Sequence, residues 1–385
     1  MKTHKDVLKN ILLDIAPTKK DISRLKKIQK DILSKIKVPN TTAVVGGSGA
    51  KNTWLKNTHD IDIYVKFDYK KYSNKSKELS DILNKYLKKP FPKLSRVHGS
   101  RDYFQINHEG YTLEIIPILD IKKAEQAKNI TDFSVHHVKY INKQTKKSPK
   151  LANEIRLAKV FARANKFYGA ESYIKGVSGY VLEILVSKYG SFTKFTKNAS
   201  KWKDKTVIGK IKEAERLNWA KKLSPLIIID PVQPDRNAAA ALSNEQYKNI
   251  IKFSKKFTKS PSESFFEQQP ININKLKKKG NLTIIEVQPV KGKKDVSGAK
   301  ALKAFEFIVK HSKNYEIADS LFDYGEILTT YYIVTNKNKI SNEYKHYGPP
   351  LDNKKALVQF KKTNKLPIKT DRKLKKYYVI KKREN

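Results

Sequence analysis

The stretch VVGGSGAKNTWLKNTHDIDIYVKF, residues 44–67, places a glycine-rich turn shortly before two aspartates separated by one isoleucine. In a β-strand residues i and i+2 share a face. Asp60 and Asp62 therefore point together, while Ile61 and Ile63 point into a core. Two carboxylates side by side raise one another's pKa unless a cation sits between them. A hard divalent metal is the natural cation, and magnesium commonly shares its shell with substrate phosphates. The competing reading of a D-x-D pair is an exposed strand face bearing two solvated acids.

The turn weighs against that competing reading. Gly46, Gly47 and Ser48 follow the apolar run Ala43-Val44-Val45. Glycines let the backbone pass close to a ligand, and amides at such a turn favour phosphate oxygens. Ser48 adds a hydroxyl and Lys51 a charge. A GGSG turn is weak evidence alone, but Asp60 follows Ser48 by twelve residues (60 − 48), which fits a site for in-line phosphoryl transfer. Such a site wants a third carboxylate on a neighbouring strand. Glu114, a lone acid in the apolar stretch TLEIIP, supplies the candidate, although edge strands also carry charges of this kind.

Composition points to a polyanion. The 385 residues carry 81 Lys+Arg against 37 Asp+Glu, a net charge of +44. So large an excess destabilises a compact chain by self-repulsion unless a polyanion neutralises it. Nucleic acid comes first and a membrane surface second; a lysine-rich proteome is the bland alternative. Arginine occurs only nine times, so each one merits inspection for planar bidentate contacts. The absence of cysteine excludes disulfides, zinc–thiolate sites and thiol catalysis. The opening MKTHKDVLKNILLDIAP lacks the apolar core of a secretory signal, and no stretch approaches the ~20 apolar residues of a membrane span. These features predict a soluble, cytoplasmic protein with no membrane partner.

Outward from the turn, Thr18 and Asp21 predict a capped helix whose apolar positions are Ile22, Leu25, Ile28, Leu33 and Ile36. TTAVVGG and DIDIYVKF read as strands, residues 76–89 as a helix, and YFQINHEGYTLEIIPIL as a hairpin turning at HEG. Residues 1–145 thus form an α+β head. A helix-rich neck follows over 146–258, bounded by the polar runs NKQTKKSPK and TKSPSES. Residues 265–340 show a β-α-β-β order compatible with a ferredoxin-like body, and 341–385 read as a short, basic, weakly patterned tail. In the neck, Arg156, Lys159, Arg163 and Lys166 form a basic stripe opposite Leu157, Phe161, Ala164 and Tyr168 on one helix. Spacing alone leaves a solvated charged face and a ligand-facing stripe equally open.

GGSGAKNTWLKNTHDIDIYVKF resembles the G-S-x-A-[RK]-x-T-W-L…D-x-D signature of archaeal-type (class I) CCA-adding tRNA nucleotidyltransferases, within the DNA polymerase β superfamily. The resemblance continues in LEIIP, EIRLAKVFARANKFYGAE, GVSGYVLEIL, YGSFTKFTKNASKW, DPVQPDRNAAAALS and PSESFF, covering about residues 15–270. It implies an α+β multidomain fold with a polymerase-β-like head, helical neck, ferredoxin-like body and shortened tail. It also implies that Asp60, Asp62 and Glu114 bind two Mg2+ ions, with Glu114 standing where the family usually has aspartate. Gly47, Ser48, Lys51, Lys159 and Tyr168 would hold the nucleotide, and Lys51 replaces a frequent arginine. His137 would contact the nucleotide as well, with His136 beside it leaving the register open by one.

Asp230 and Arg236, in DPVQPDRN, would select the base, an arginine fork being able to read the Watson–Crick edge of C or A. An Arg236–Asp235 ion pair is the plain alternative. The implied activity is addition of C, C and A to tRNA 3′ ends from CTP and ATP, gripping the acceptor stem and T arm by shape and phosphate contacts. A CC-only, A-only or poly(A)-type enzyme is the alternative within the superfamily. An RNA-binding protein with a degenerate head is the alternative outside catalysis. A homodimer stays open.

Overall fold

The computed structural model describes residues 4–56, 58, 60–339 and 343–382. Asn57 and His59 of the opening motif, and Arg383–Asn385 of the basic tail, lie outside them. The chain divides into two units, residues 1–270 with 292–299, and residues 271–291 with 300–385.

In the first unit a helix α1 (His4–Ile15) precedes α2 (Lys19–Lys35). Thr18 caps α2 as its sequence predicts: the hydroxyl accepts from the Asp21 amide while Asp21 accepts from the Thr18 amide at 2.8 Å. Strands β1 (Thr41–Val45), β2 (Asp60–Asp68), β3 (Ser95–Val97), β4 (Tyr103–His108) and β5 (Tyr111–Asp120) form one sheet in the order β1-β2-β5-β4-β3. Between β1 and β2 the glycines form a single helical turn, α3 (Gly47–Ala50). β4 and β5 are the anticipated hairpin, with Glu109 and Gly110 at the bend in the left-handed region. β5 then runs parallel to β2, with Asp62 beside Glu114. Ile61, Ile63, Val65 and Phe67 are buried against Leu25, Ile28 and Ile32 of α2 and Leu79, Leu83 and Leu87 of a following helix. The alternation of acids and isoleucines thus fixes which face of β2 meets the core.

A second apolar core in the same unit collects the lysine helix (Leu151–Ala164), the glutamate helix (Gly179–Tyr189) and the helix Asn244–Lys259. Phe161 is its centre, 5.3 Å from the Phe192 ring and 5.7 Å from that of Phe257. One expectation is corrected here and one open alternative is decided. The lysine helix stops at Ala164, because the Asn165 side-chain amide donates to the Phe161 carbonyl and Lys166 turns into the left-handed region. Tyr168 therefore lies beyond the helix, in a bridge with Val177. Nor is the basic stripe a solvated face throughout, since Arg156 and Lys159 are both only 4% exposed.

The second unit carries a three-stranded antiparallel sheet, Asn281–Val287, Ile317–Asp323 and Thr329–Thr335, with the last in the middle. The helix Lys294–His311 falls between its first two strands in sequence, giving the β-α-β-β order. Phe305, Tyr331 and Ile333 form its core. The stretch read as a weakly patterned tail is folded: Glu343–Pro350, Lys369–Asp371 and Lys376–Lys382 make another three-stranded sheet, joined by the helix Lys354–Thr363. Lysines on the solvated positions masked its alternation, and cross-strand pairs such as Tyr347–Tyr378 hold it instead. No helix among the described residues is long and apolar enough to cross a membrane.

Candidate active site

The turn after β1 is shaped by what stands behind it. A Cβ on Gly46 would strike the ring of Tyr64, and one on Gly47 would collide with the Asp62 carboxylate. Gly47 also has φ of 51°, a backbone region that suits glycine. The Gly46 amide donates to the Asp62 carbonyl at 2.7 Å, so turn and acid-bearing strand are fastened to each other.

Asp60 and Asp62 sit on β2 in register with Thr112 and Glu114 of β5, which brings the three acids together on neighbouring inner strands. Glu114 accepts a hydrogen bond from Gln105 at 2.8 Å. Burial, with Glu114 and Asp60 adding to it, pushes the Asp62 carboxyl up to about 6, although Lys51 and Lys159 oppose the rise. Burial raises Glu114 too, and Asp60 adds to it. Among the described residues no three His, Cys, Asp or Glu side chains already close into a metal-holding cluster. The donor set itself fits a hard cation: three carboxylates on adjacent strands, with the Asp62 carboxylate occupying the space that a side chain at Gly47 would fill.

Lys51 and Lys159 converge on a residue that the sequence reading passed over. Glu183, fully buried on the glutamate helix, accepts from Lys51 at 2.6 Å, from Lys159 at 2.8 Å and from the Thr53 hydroxyl at 2.7 Å. Burial would raise its pKa, but the two lysines outweigh burial and hold it down at about 2. Arg156 is a framework residue: its guanidinium donates to the Trp54 carbonyl at 2.8 Å and the Asn52 carbonyl at 2.7 Å. It thereby fixes the loop that carries Lys51 and Thr53. Tyr168 lies under the Arg163 guanidinium, 4.7 Å from the ring centre, and its hydroxyl fills the space left by Gly179.

A third group surrounds Asp230. Arg236 donates to its carboxylate at 2.8 Å and Tyr180 at 3.0 Å, while the Val232 amide donates at 2.9 Å. His137 Nε2 stands 3.4 Å from the same carboxylate, within ion-pair reach but without a hydrogen bond of its own. Its ring stacks on Tyr180 at 4.1 Å. His136 instead bonds the Ile121 carbonyl at 2.9 Å, so His137 is the histidine that faces the neck. Burial favours a neutral Asp230, but His137, the Val232 amide and Arg236 outweigh it and hold the carboxyl below its usual range. The Arg236–Asp235 pair anticipated as the plain alternative does not form; Lys221 stands 3.6 Å from Asp235.

Residues 25–162 match the family model described as a nucleotidyltransferase domain, and residues 153–267 match that of a tRNA nucleotidyltransferase second domain. A CCA-adding enzyme of Nanoarchaeum equitans is 35% identical over 345 residues, spanning 87% of this chain and 83% of that protein. The chain belongs to the CCA-adding enzyme family. The family member of Methanocaldococcus jannaschii is 29% identical across 94% of this chain and 84% of its own length. A solved cytoplasmic RNA terminal U-transferase superposes with a TM-score of 0.55 at 15% identity, covering 70% of this chain and all of that one. At that identity the likeness is one of fold, that of polymerase-β-like nucleotidyltransferases.

For this CCA-adding enzyme family member the overlooked residues are Glu183 and Tyr180. Both lie in GVSGYVLEIL, one helical turn apart, and Glu183 is an acid among Val181, Leu182, Ile184 and Leu185. A lone buried acid demands cationic partners. That signal was readable, but its partners are 132 and 24 residues away.

Proposed function

We propose that this chain adds C, C and A to the 3′ end of tRNA, using CTP and then ATP. The terminal 3′-hydroxyl attacks the α-phosphate and pyrophosphate leaves. Membership of the family carries the enzyme class, nucleotide substrates and a divalent metal in general terms. Magnesium as the metal, the order of nucleotides and the residue roles are our reading. The observation supporting it most directly is the contrast between the clustered carboxylates Asp60, Asp62 and Glu114 on β2 and β5, with Asp62 pushed up, and the lysines gathered on the other side of the glycine turn.

In this reading Asp60, Asp62 and Glu114 hold the metal, which when bound supplies Lewis-acid stabilisation of anionic oxygens. Ser48, Lys51 and Lys159 bind the triphosphate, with Gly47 keeping the backbone close to it. Tyr168 and His137 contact the nucleotide. Arg236, oriented by Asp230, presents its fork to the Watson–Crick edge of the incoming base. The lysine surface holds the acceptor stem and T arm through phosphates and A-form shape, and binding weakens steeply with salt. A tRNA substrate places the reaction in the cytoplasm, and a second copy of the chain is a further partner, readable from solution mass with and without tRNA.

The test is incubation of the enzyme with magnesium and a tRNA lacking its 3′ end, supplying CTP, ATP or both. Two C additions from CTP alone and a terminal A only when both are present are expected. A homopolymeric tail from ATP alone would instead identify a poly(A)-type enzyme. No incorporation by an enzyme that still binds the tRNA would point to a degenerate head.

A further inference from the structure

Glu183 has no role in the reading above, yet with Asp230 it is one of two acids near the site that are wholly enclosed. An ionised carboxylate inside an apolar helix is unfavourable unless every lone pair finds a donor. Here Oε2 accepts from Lys51 at 2.6 Å, and Oε1 accepts from Lys159 at 2.8 Å and Thr53 at 2.7 Å. Lys159 donates further to the Thr53 hydroxyl at 3.0 Å and the Thr53 carbonyl at 3.1 Å. The other ionisable groups that feel these charges are Asp62 and Tyr64 on β2, and Tyr168 beyond the lysine helix. Tyr180 completes them, with Lys51 at 5.8 Å from its ring centre.

This one carboxylate takes two cations. They come from separate segments, Lys51 from the end of the glycine turn and Lys159 from the lysine helix. An ammonium on a four-carbon stem loses considerable rotamer freedom when it binds a ligand, unless something has already fixed it. An ammonium carries three donors: Lys51 spends one on Glu183 and keeps two for phosphate oxygens, whereas Lys159 spends its three on Glu183 and Thr53 and offers the triphosphate its charge.

We propose that Glu183 is a positioning residue for nucleotide binding, its carboxylate setting the ammonium groups of both Lys51 and Lys159 beside the glycine turn so that they meet the triphosphate together. This rests on the reading that those two lysines bind the triphosphate. Glu183 touches no substrate. Its effect passes through the lysines, falls on affinity rather than on the chemical step, and is the same for CTP and ATP because neither base is involved.

The experiment measures KM for CTP and for ATP, kcat, and the binding of inorganic tripolyphosphate to the full chain, with melting to confirm folding. Glu183→Gln keeps the shape and removes the charge. Both KM values and the tripolyphosphate dissociation constant should rise together by about tenfold or more, the scale of a hydrogen bond to a charged group. The change in kcat should stay within about threefold on that same scale. Glu183→Asp, which keeps the charge with a shorter reach, should recover part of the loss. In a Lys51→Ala background the Gln substitution should cost less than in the parent, since only Lys159 is left for Glu183 to set and coupled residues are not additive.

Unchanged or lowered constants in a folded Glu183→Gln protein overturn the proposal, as does a loss confined to kcat or strict additivity with Lys51→Ala. Should the Gln variant not fold, Thr53→Val removes one donor that orients Glu183 and should raise the same constants by about threefold; no rise overturns the proposal equally. If Lys51→Ala and Lys159→Ala themselves bind tripolyphosphate like the parent, the underlying assignment of the lysines fails instead.

Discussion

Two acidic regions of this molecule lie either side of one glycine turn and behave oppositely. On the inner strands β2 and β5, Asp60, Asp62 and Glu114 crowd together, and burial with mutual repulsion lifts Asp62 to about 6. On the glutamate helix, Glu183 is more deeply buried, yet two lysines outweigh its burial and hold it at about 2. Burial is therefore not what separates them. The first region has acids in excess of its bases and is built to receive positive charge. The second carries two cations on one acid and is built to meet negative charge. A metal ion and a triphosphate are complementary to the two excesses, and the turn between them is where the two would join.

The strongest way to break that comparison is Asp62→Asn. Incorporation of labelled CTP should fall by about a thousandfold or more, the scale of a lost electrostatic element in a phosphoryl-transfer site. Binding of tRNA in a filter or shift assay should stay near that of the parent. Loss of binding with retained incorporation would remove the acid-rich strands from the chemistry.

Gly47→Ala probes the boundary itself. Its Cβ would collide with the Asp62 carboxylate, and φ of 51° disfavours the new side chain. A drop of about a hundredfold in kcat/KM is expected, since misplacement by an ångström costs on that order. Normal turnover would mean that the turn and Asp62 are not coupled.

Arg236→Ala leaves both acidic regions intact and addresses choice of base. The ratio of kcat/KM for CTP and ATP on each tRNA end should shift by about tenfold, one lost charged hydrogen bond. An unchanged ratio would remove Arg236 from base reading.

The smallest effect is thermodynamic. Asp62 has a folded pKa above its unfolded value, so its contribution is most favourable below about pH 4 and is lost as pH rises through about 6. Without divalent cation, Asp62→Asn should gain stability over the parent across that window, reaching about 1–3 kcal/mol above pH 7. Added magnesium should stabilise the parent and narrow the gap. Glu183 runs the other way: its pKa is depressed, its contribution is present above about 4.5, and it is lost only as pH falls toward 2. A urea series from pH 3 to 8 with and without magnesium separates the two.

Much of this was readable from local pattern. The D-x-D alternation placed Asp60 and Asp62 on one face and Ile61 and Ile63 in the core, because a strand's period is two. Thr18 and Asp21 marked a helix start, because capping needs only residues three apart. What failed was also local. Periodicity carries the lysine helix through Tyr168, and nothing in it reveals that Asn165 captures the Phe161 carbonyl. The last sheet was missed since lysines occupy its solvated positions and its pairs are cross-strand contacts.

By itself the sequence determined the acids, the glycine turn, the family and the excess of positive charge, because these are properties of residue type and short spacing. Only the tertiary structure decided which charges meet. It set Asp62 beside Glu114 through a parallel pairing, turned His137 rather than His136 toward Asp230, and brought Lys51 and Lys159 onto Glu183. Each of those encounters joins segments far apart in the chain, and no local spacing encodes a partner that arrives only when separate cores have packed.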